Sequence, residues 1–303
     1  MKIAILSKGP GNYSTKRLKE EAKKRGHEVH VINYIKCYAK IAQNRPLVSY
    51  EGKDLTGFDG IIPRIASSYT RYGSAVVRQF EMQGVYTTAS SIAIVRSRDK
   101  LRTLQLLART GVGIPKTVFS RGLVDAEDLI EEVGGVPVII KLARGVHGRG
   151  VVLAETKKAA KSALQGFYLM DEEGTNILLQ EFIEESAGED IRAFVVGGKV
   201  VASMKRQSLD DDFRSNIHQG GAGSPVQLTD EERKTAVKAA KAVGLSIAGV
   251  DMMRSKRGPL VLEVNSSPGF AIEQVTGRNV AEKIIEYVEA NAKARQRKDR
   301  VGA

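Results

Sequence analysis

Apolar residues alternate along Lys2-Ile3-Ala4-Ile5-Leu6, a β-rich run, and the spacing then changes so that Leu18 and Ala22 share one face of a helix. Ser14 can cap this helix, Gly26 can end it, and Glu28–Asn33 reads as a second strand. A strand near Phe58–Ile65 and a helix near Tyr72–Gln83, closed by Gly84, continue the alternation. The pattern predicts an α/β start, a small parallel sheet covered by helices, over residues 1–95.

From Arg98 the pattern changes. A helix carrying Leu101, Leu104, Leu106 and Leu107 ends at Gly111 to Pro115, a strand follows at Thr117–Ser120, and another helix starts near Asp125. Val138–Leu142 and Val151–Glu155 read as a hairpin whose tip is Arg144-Gly145-Val146-His147-Gly148-Arg149-Gly150. After a helix at Lys157–Phe167, the apolar strand Ile177–Phe182 leads into a third unit. Its expected strands are Asp190–Val196, Val200–Arg206, Ile247–Met253 and Leu260–Val264, and its expected helices are Asp230–Val243 and Val280–Asn291. The chain shows no internal repeat, and the boundary near residue 183 is a change of topology rather than of composition.

Composition narrows the class. At 303 residues, 42% hydrophobic and 27% charged, the chain falls in the ordinary globular range, long enough for two or three domains. Its one cysteine, Cys37, excludes an intrachain disulfide and a cysteine-cluster zinc site. The apolar run before Lys8 is too short for a secretion signal, and no apolar stretch approaches the ~18 residues of a membrane span, so a cytoplasmic protein with no membrane partner is expected. The net charge of +12 includes a tail with Lys293, Arg295, Arg297, Lys298 and Arg300 against Asp299. A solvated, frayed helix end is the commoner meaning of such a tail, and with 6% aromatic residues and no Trp, stacking platforms for single strands are scarce. Direct nucleic-acid binding is therefore not expected, whereas an acidic small molecule, an acidic peptide or a polyphosphate suits the charge.

Three segments can carry chemistry. The glycine-rich tip lets backbone amides and arginines close over an anion, and Lys141, on the otherwise apolar strand that enters it, needs a counter-charge that a phosphate would supply. It is not a Walker loop, and Gly9-Pro10-Gly11-Asn12 lacks the Gly-x-Gly-x-x-Gly spacing and reads as a tight strand-to-helix turn. Glu263 and Asn265, two apart on an apolar strand, share a face; a hairpin turn centred on Arg257 would set Asp251 opposite Glu263. Flanked by Val261, Leu262 and Val264, these two carboxylates are expected to be buried, to repel, and so to need a cation, for which oxygen-only ligation selects magnesium or manganese. The competing reading exposes one carboxylate and pairs the other with Arg254. The long polar loop Asp210–Gly223 holds Arg214 and Asn216, which can clamp a transferring phosphoryl group; His218 in it, like His27, His30 and His147, shows no ligand spacing.

The chain resembles the ATP-grasp ligases in Lys100, in Lys141 before a glycine-rich tip, and in Gln180-Glu181-Phe182-Ile183, Asp190-Ile191-Arg192 and Phe213-Arg214-Ser215-Asn216. Gly249-Val250-Asp251 and Leu262-Glu263-Val264-Asn265-Ser266-Ser267-Pro268-Gly269 complete the set. Ile62-Pro63-Arg64-Ile65, Arg98-Asp99-Lys100-Leu101 and the Asp212–Gly221 loop are similar to the RimK glutamate ligase branch. The resemblance runs from the first strand to about residue 290; the basic lid tip and the tail depart from it.

It implies an ATP-grasp fold with a pre-ATP-grasp domain (1–95), a central lid subdomain (96–183), a C-terminal metal-binding subdomain (184–292) and a basic tail (293–303). ATP would lie between the second and third, with Lys100 and Lys141 on its phosphates, Glu181 and Phe182 at the adenine and Asp190 facing the ribose. Asp251, Glu263 and Asn265 would hold two Mg2+ or Mn2+ ions, and Arg214, Ser215 and Asn216 would meet the transferring group, Arg214 set against an acyl phosphate. The branch's activity implies L-glutamate as the amine, the C-terminal glutamate of the sixth small-subunit ribosomal protein or poly-α-glutamate as acceptor, and a homo-oligomer, dimer or tetramer. A glutamate ligase acting on a pterin or deazaflavin cofactor, an amino-group-carrier ligase of lysine synthesis, a silent nucleotide-binding regulator and a nucleic-acid module remain as alternatives.

Overall fold

The computed structural model describes residues 1–121, 126–142, 150–168, 176–208 and 222–292. The first unit comprises β1 (Lys2–Ser7), α1 (Tyr13–Lys24), β2 (Glu28–Ile32), β3 (Cys37–Lys40), β4 (Leu47–Tyr50), β5 (Lys53–Asp54), β6 (Gly60–Arg64), α2 (Thr70–Met82) and β7 (Tyr86–Thr87). Its main sheet is parallel, in the order β2-β1-β6-β7. Ile3, Ala4, Ile5 and Leu6 are all fully buried, so β1 is covered on both faces, as a central parallel strand must be. The small antiparallel sheet β3-β4-β5 was not foreseen: strands of two to four residues are too short to set up a period. Nor is Ser14 a cap. The cap position is Asn12, which makes no side-chain cap bond, and the Ser14 hydroxyl instead accepts a hydrogen bond from Arg64 at 3.1 Å.

The helix expected from Arg98 is present, and an unforeseen helix precedes it. Between α3 (Ser91–Arg98) and α4 (Lys100–Arg109) the break falls at Asp99, whose carboxylate accepts from the Arg102 amide at 2.9 Å and caps the second helix. The central unit continues with β8 (Thr117–Arg121), α5 (Ala126–Glu132), β9 (Val138–Leu142), β10 (Val151–Ala154), α6 (Lys157–Tyr168) and β11 (Asn176–Glu181), its antiparallel sheet ordered β10-β9-β11-β8. The hairpin β9-β10 matches the expected strands, and its tip, residues 144–149, lies outside the described residues.

The third unit holds β12 (Glu189–Val196), β13 (Lys199–Gln207), β14 (Ala222–Pro225), α7 (Asp230–Val243), β15 (Ile247–Ser255), β16 (Gly258–Asn265), α8 (Ala271–Thr276) and α9 (Val280–Ala292). Its sheet runs β14-β13-β12-β15-β16, antiparallel throughout. Thr229 and Glu232 close a capping box on α7, and Gly244, at φ 88°, ends it in the left-handed conformation.

The cores divide unevenly. Apolar side chains of the first and third units form shared clusters, Leu6 and Phe80 with Met252 and Val264, and Ile5 and Leu18 with Phe194 and Ile285. The central unit keeps its own, built from residues such as Ile130, Val138, Leu164 and Leu179. Units one and three are thus bound by common burial, which α4 joins through Leu107, while among the described residues the sheet of the central unit packs only on its own helices. One attachment is tight: the Val261 amide donates to the Gly113 carbonyl at 2.8 Å, and a Cβ at Gly113 would lie 2.6 Å from the Pro259 carbonyl oxygen. Among the described residues no helix is long and apolar enough to cross a membrane.

A polar clamp supplements the shared core. Arg17 on α1 donates to Glu273 on α8 at 3.0 Å, to Glu21 at 3.0 Å and to Asn279 at 3.1 Å, and Glu273, 7% exposed, also accepts from Tyr13 and from the Ala281 amide. Arg17→Ala leaves that buried carboxylate without its cation and is expected to lower stability by about 3 kcal/mol, whereas Lys157→Ala, at an exposed pair with Glu131, is expected to cost well under about 1 kcal/mol. Urea midpoints of the two variants check the contrast.

Candidate functional site

The expected opposition of Asp251 and Glu263 is present, reached by a different route. The turn between β15 and β16 is centred between Lys256 and Arg257, with Ser255 paired to Gly258, so unbroken pairing would set Leu262 opposite Asp251. A bulge between Asp251 and Met252 shifts the register by one residue and brings Glu263 opposite Asp251 instead. Without it Glu263 and Asn265 would turn to the other face. With it, the Asn265 amide donates to Glu263 at 2.8 Å and approaches Asp251 at 3.5 Å.

The electrostatics correct the expectation of two buried carboxylates waiting for a cation. Asp251 is 2% exposed, but the Glu263 side chain is 51% exposed. Asp251 already has its counter-charge: Arg192 donates to both its oxygens, at 2.7 and 2.5 Å, and Arg206 stands 3.0 Å away. Arg254, the alternative partner weighed above, pairs with Glu232. Burial alone would raise the Asp251 carboxyl, but Arg192 and Arg206 outweigh it and hold it well below the usual carboxylate range. Enclosure by the surrounding protein, and then repulsion from Asp251, push Glu263 above it.

Asp190 is part of the same row. It is 6% exposed and gripped by Arg206 through Nε, at 2.6 Å, and through a terminal guanidinium nitrogen. Its carboxylate therefore meets Arg206 within the sheet. Arg192 and Arg206 are the residues that sequence reasoning passed over. Arg192 was signalled by the alternation Asp190-Ile191-Arg192 on an otherwise apolar strand, whereas Arg206, directly after Lys205 at a strand end, carried no such signal.

Two lysines face this carboxylate row from the central unit. Lys141 on β9 donates to the neutral Gln180 amide oxygen at 2.6 Å, and Lys100, the first residue of α4, donates to the Leu142 carbonyl at 3.2 Å. Among the described residues neither has a carboxylate in an ion pair. Burial and then the positive Lys100 pull Lys141 down to about 8, against a weaker upward pull from Glu263, and burial likewise lowers Lys100. Glu181 accepts from the Lys116 amide at 2.6 Å and pairs with Arg257, bridging the central and third units, and half-buried Phe182 follows it. Arg214, Ser215 and Asn216 lie outside the described residues.

The donor set suits a hard divalent cation. Glu263 and Asp251 offer carboxylate oxygens and Asn265, whose amide nitrogen faces them here, would offer its carbonyl oxygen on turning its amide; among the described residues no cluster of three His, Cys, Asp or Glu competes with them. Glu263 and Asn265 are open to such an ion, whereas Asp251 reaches it only as Arg192 shares its oxygens.

Residues 97–288 match the model of the RimK-like ATP-grasp domain family, and residues 1–94 that of the RimK PreATP-grasp domain. A probable alpha-L-glutamate ligase of Nitrosococcus oceani is 58% identical over 293 residues, covering 96% of each chain. One from Vibrio cholerae is 54% identical over 301 residues, covering 99% of each. Among solved structures, the ATP-grasp ligase PsnB complexed with minimal precursor superposes with a TM-score of 0.73 at 20% identity, covering 95% of this chain and 97% of that one. A D-alanine–D-alanine ligase from Bacillus anthracis gives 0.67 at 18% identity, covering 97% and 99%. These likenesses share the fold described above.

The depressed lysine generates a prediction about stability. Lys141 releases its proton near pH 8 when folded but near 10.5 when unfolded, so over that window the unfolded chain binds more protons and the folded chain gains stability as pH rises. Lys141→Met is expected to be more stable than the parent at pH 7 and to lose the gain between pH 8 and 10.5, as read from denaturant midpoints at the two pH values.

Proposed function

The chain belongs to the RimK-like ATP-grasp family of ATP-dependent ligases, and we propose that it joins L-glutamate to an acidic acceptor, a glutamate-terminated ribosomal-protein tail or a growing poly-α-glutamate, releasing ADP and phosphate. The observation that carries this reading is that two lysines without an ion pair among the described residues stand close enough to Glu263, beside Asp251 and Asn265, to feel its charge. That is an arrangement of cations for phosphates opposite oxygen donors for magnesium or manganese. The printed names of the relatives, probable alpha-L-glutamate ligase, support the choice of amino acid.

In this reading the acceptor carboxylate takes the γ-phosphoryl group of ATP, forming a carboxyl–phosphate bond as the bond to ADP breaks. The amine of glutamate then attacks the acyl carbon, phosphate leaves, and the amine's surplus proton is released. Lys100 and Lys141 hold the phosphates in line with the acceptor, where positioning and charge stabilisation do most of the catalytic work. Glu181 and Phe182 frame the adenine, and Asp190 reaches the ribose side of the cleft as a proposed contact. Arg214 is set against the acyl phosphate with Ser215 and Asn216 beside it. Glu263 and Asn265 hold the divalent ions with Asp251. A bound magnesium ion would draw charge from the phosphate oxygens and so make the phosphorus a better electrophile.

The first test is ADP release from ATP and magnesium with each of the twenty amino acids, with mass spectrometry of the products. Glutamate-dependent release and products growing in glutamate steps are the expected result; release that follows another amino acid overturns the assignment. Glu263→Ala is expected to lose at least ~100-fold in turnover while keeping its circular dichroism spectrum, consistent with removal of a group that stabilises transition-state charge.

A further inference from the structure

Three features singled out in the sequence are left without a role by the proposed reaction: Arg64, the Gly9–Asn12 turn into α1, and the serine pair Ser266-Ser267. The fold brings them to one place. In the sheet order β2-β1-β6-β7 the chain leaves β1 to one side and returns to β6 on the other. Where the winding reverses, the connections diverge beyond the carboxyl ends of the strands and open a crevice, the usual ligand position in open α/β sheets. Arg64 is the last residue of β6 and pairs in register with Ser7, the last of β1. It therefore stands at the reversal itself.

The crevice is cationic and lacks an anion. Arg64 donates through one terminal nitrogen to the Ser14 hydroxyl at 3.1 Å and to the Pro268 carbonyl at 2.7 Å, and its guanidinium lies 5.1 Å from the centre of the Phe270 ring. All these partners are neutral, and among the described residues no carboxylate pairs with Arg64. Arg98 donates to the carbonyl of the adjacent Ile65 at 2.9 Å, and its buried Nε has no partner. Lys8, at the other strand end, meets only Tyr69, by a 3.3 Å hydrogen bond and over its ring. Helix α1 starts here with no side-chain cap on its first amides. Next to Pro268, the Ser266 hydroxyl is buried without a partner in a residue 5% exposed, and the Ser267 hydroxyl is likewise buried and unpaired. Arg64, shielded from bulk water and paired with no carboxylate among the described residues, stands beside unsatisfied hydroxyls, and an anion that accepts from both would stabilise them.

Resting on the ligase reading above, we propose that this crevice is a carboxylate subsite, in which Arg64, Ser14 and the first turn of α1, with Ser266 nearby, bind the α-carboxylate of the incoming amino acid. The planar fork of an arginine matches a carboxylate's two oxygens, which the point charge of a lysine does not. The α-carboxylate is the fitting choice because it shares its carbon with the attacking amine, so fixing it fixes the nucleophile. The side-chain carboxylate, two carbons further from the nitrogen, would leave the amine free to turn.

The test is calorimetric binding to the full chain in the presence of magnesium and ADP, which needs no turnover. Wild type is expected to bind L-glutamate and L-glutamine, which keep the α-carboxylate, and to bind isoglutamine, its α-carboxamide, at least tenfold more weakly. Arg64→Gln is expected to weaken L-glutamate at least tenfold and to erase its advantage over isoglutamine, with Arg64→Lys intermediate and ADP affinity unchanged in both. Unchanged glutamate affinity in Arg64→Gln, or a penalty that falls on glutamine instead of isoglutamine, overturns the proposal. Should the variants fail to fold, the wild-type comparison decides alone: isoglutamine binding as tightly as glutamate, or no glutamate binding, overturns it. Arg64-dependent glutamate binding without ligation would defeat the ligase reading and leave the subsite standing, and ligation with Arg64-independent affinity would do the reverse.

Discussion

Four charged side chains almost without access to water, Asp190, Arg192, Arg206 and Asp251, share one face of the third unit's sheet, and the register of three strands is constrained by keeping them paired. Arg192 faces Asp251 directly across β12 and β15, and Asp190 faces Arg206 across β12 and β13. A slip of one residue between any two of these strands would send a charge into the apolar core formed by Ile191, Ala193 and Met252, at a cost of several kcal/mol. The same pairing bears on the site. It leaves Asp251 ionised and already compensated, so Glu263 and Asn265, one bulge further along, are the donors open to a cation.

How much of this was legible depends on which physical signal carried it. Strands such as Val138–Leu142 and the helix Asp230–Val243 were read with their observed limits because their apolar periods are long and their ends are marked. Helix α3 went unread because it has no clear apolar face: Ala93 and Ile94 are buried while Ile92 and Val95 are exposed. The bulge was hidden for a related reason. Nothing about Leu262 marks it as the extra residue, so the correct opposition of Asp251 and Glu263 came from placing the turn half a residue too far along. The burial argument for Glu263 failed because alternation on β16 tells which residues share a face and says nothing about whether that face is covered.

The division of the cores adds a mechanical constraint to the chemical one. Lys141 lies on a sheet that owns a separate core, whereas Lys100 lies on α4, which packs through Leu107 into the core shared by the first and third units, and the carboxylate row lies on a unit fused to the first by that burial and by Arg17. Lys141 is therefore set against the row through the attachments at Gly113 and Glu181 and not through a common core. Among the described residues these lysines have no ion pair, and burial lowers their proton affinity, so an anionic ligand that brings counter-charge relieves an electrostatic cost as it binds.

The proposed carboxylate subsite falls on the opposite side of this mechanical divide. Arg64 joins β6 of the first unit to the Pro268 carbonyl of the third, within the part that shares a core. A substrate held there would keep its place relative to Glu263, Asn265 and Lys100, which all stand on elements packed into the shared core, while Lys141 reaches the phosphates from the separately packed sheet. Fixing the amine against those groups before reaction is where oriented binding gains most over a chance encounter.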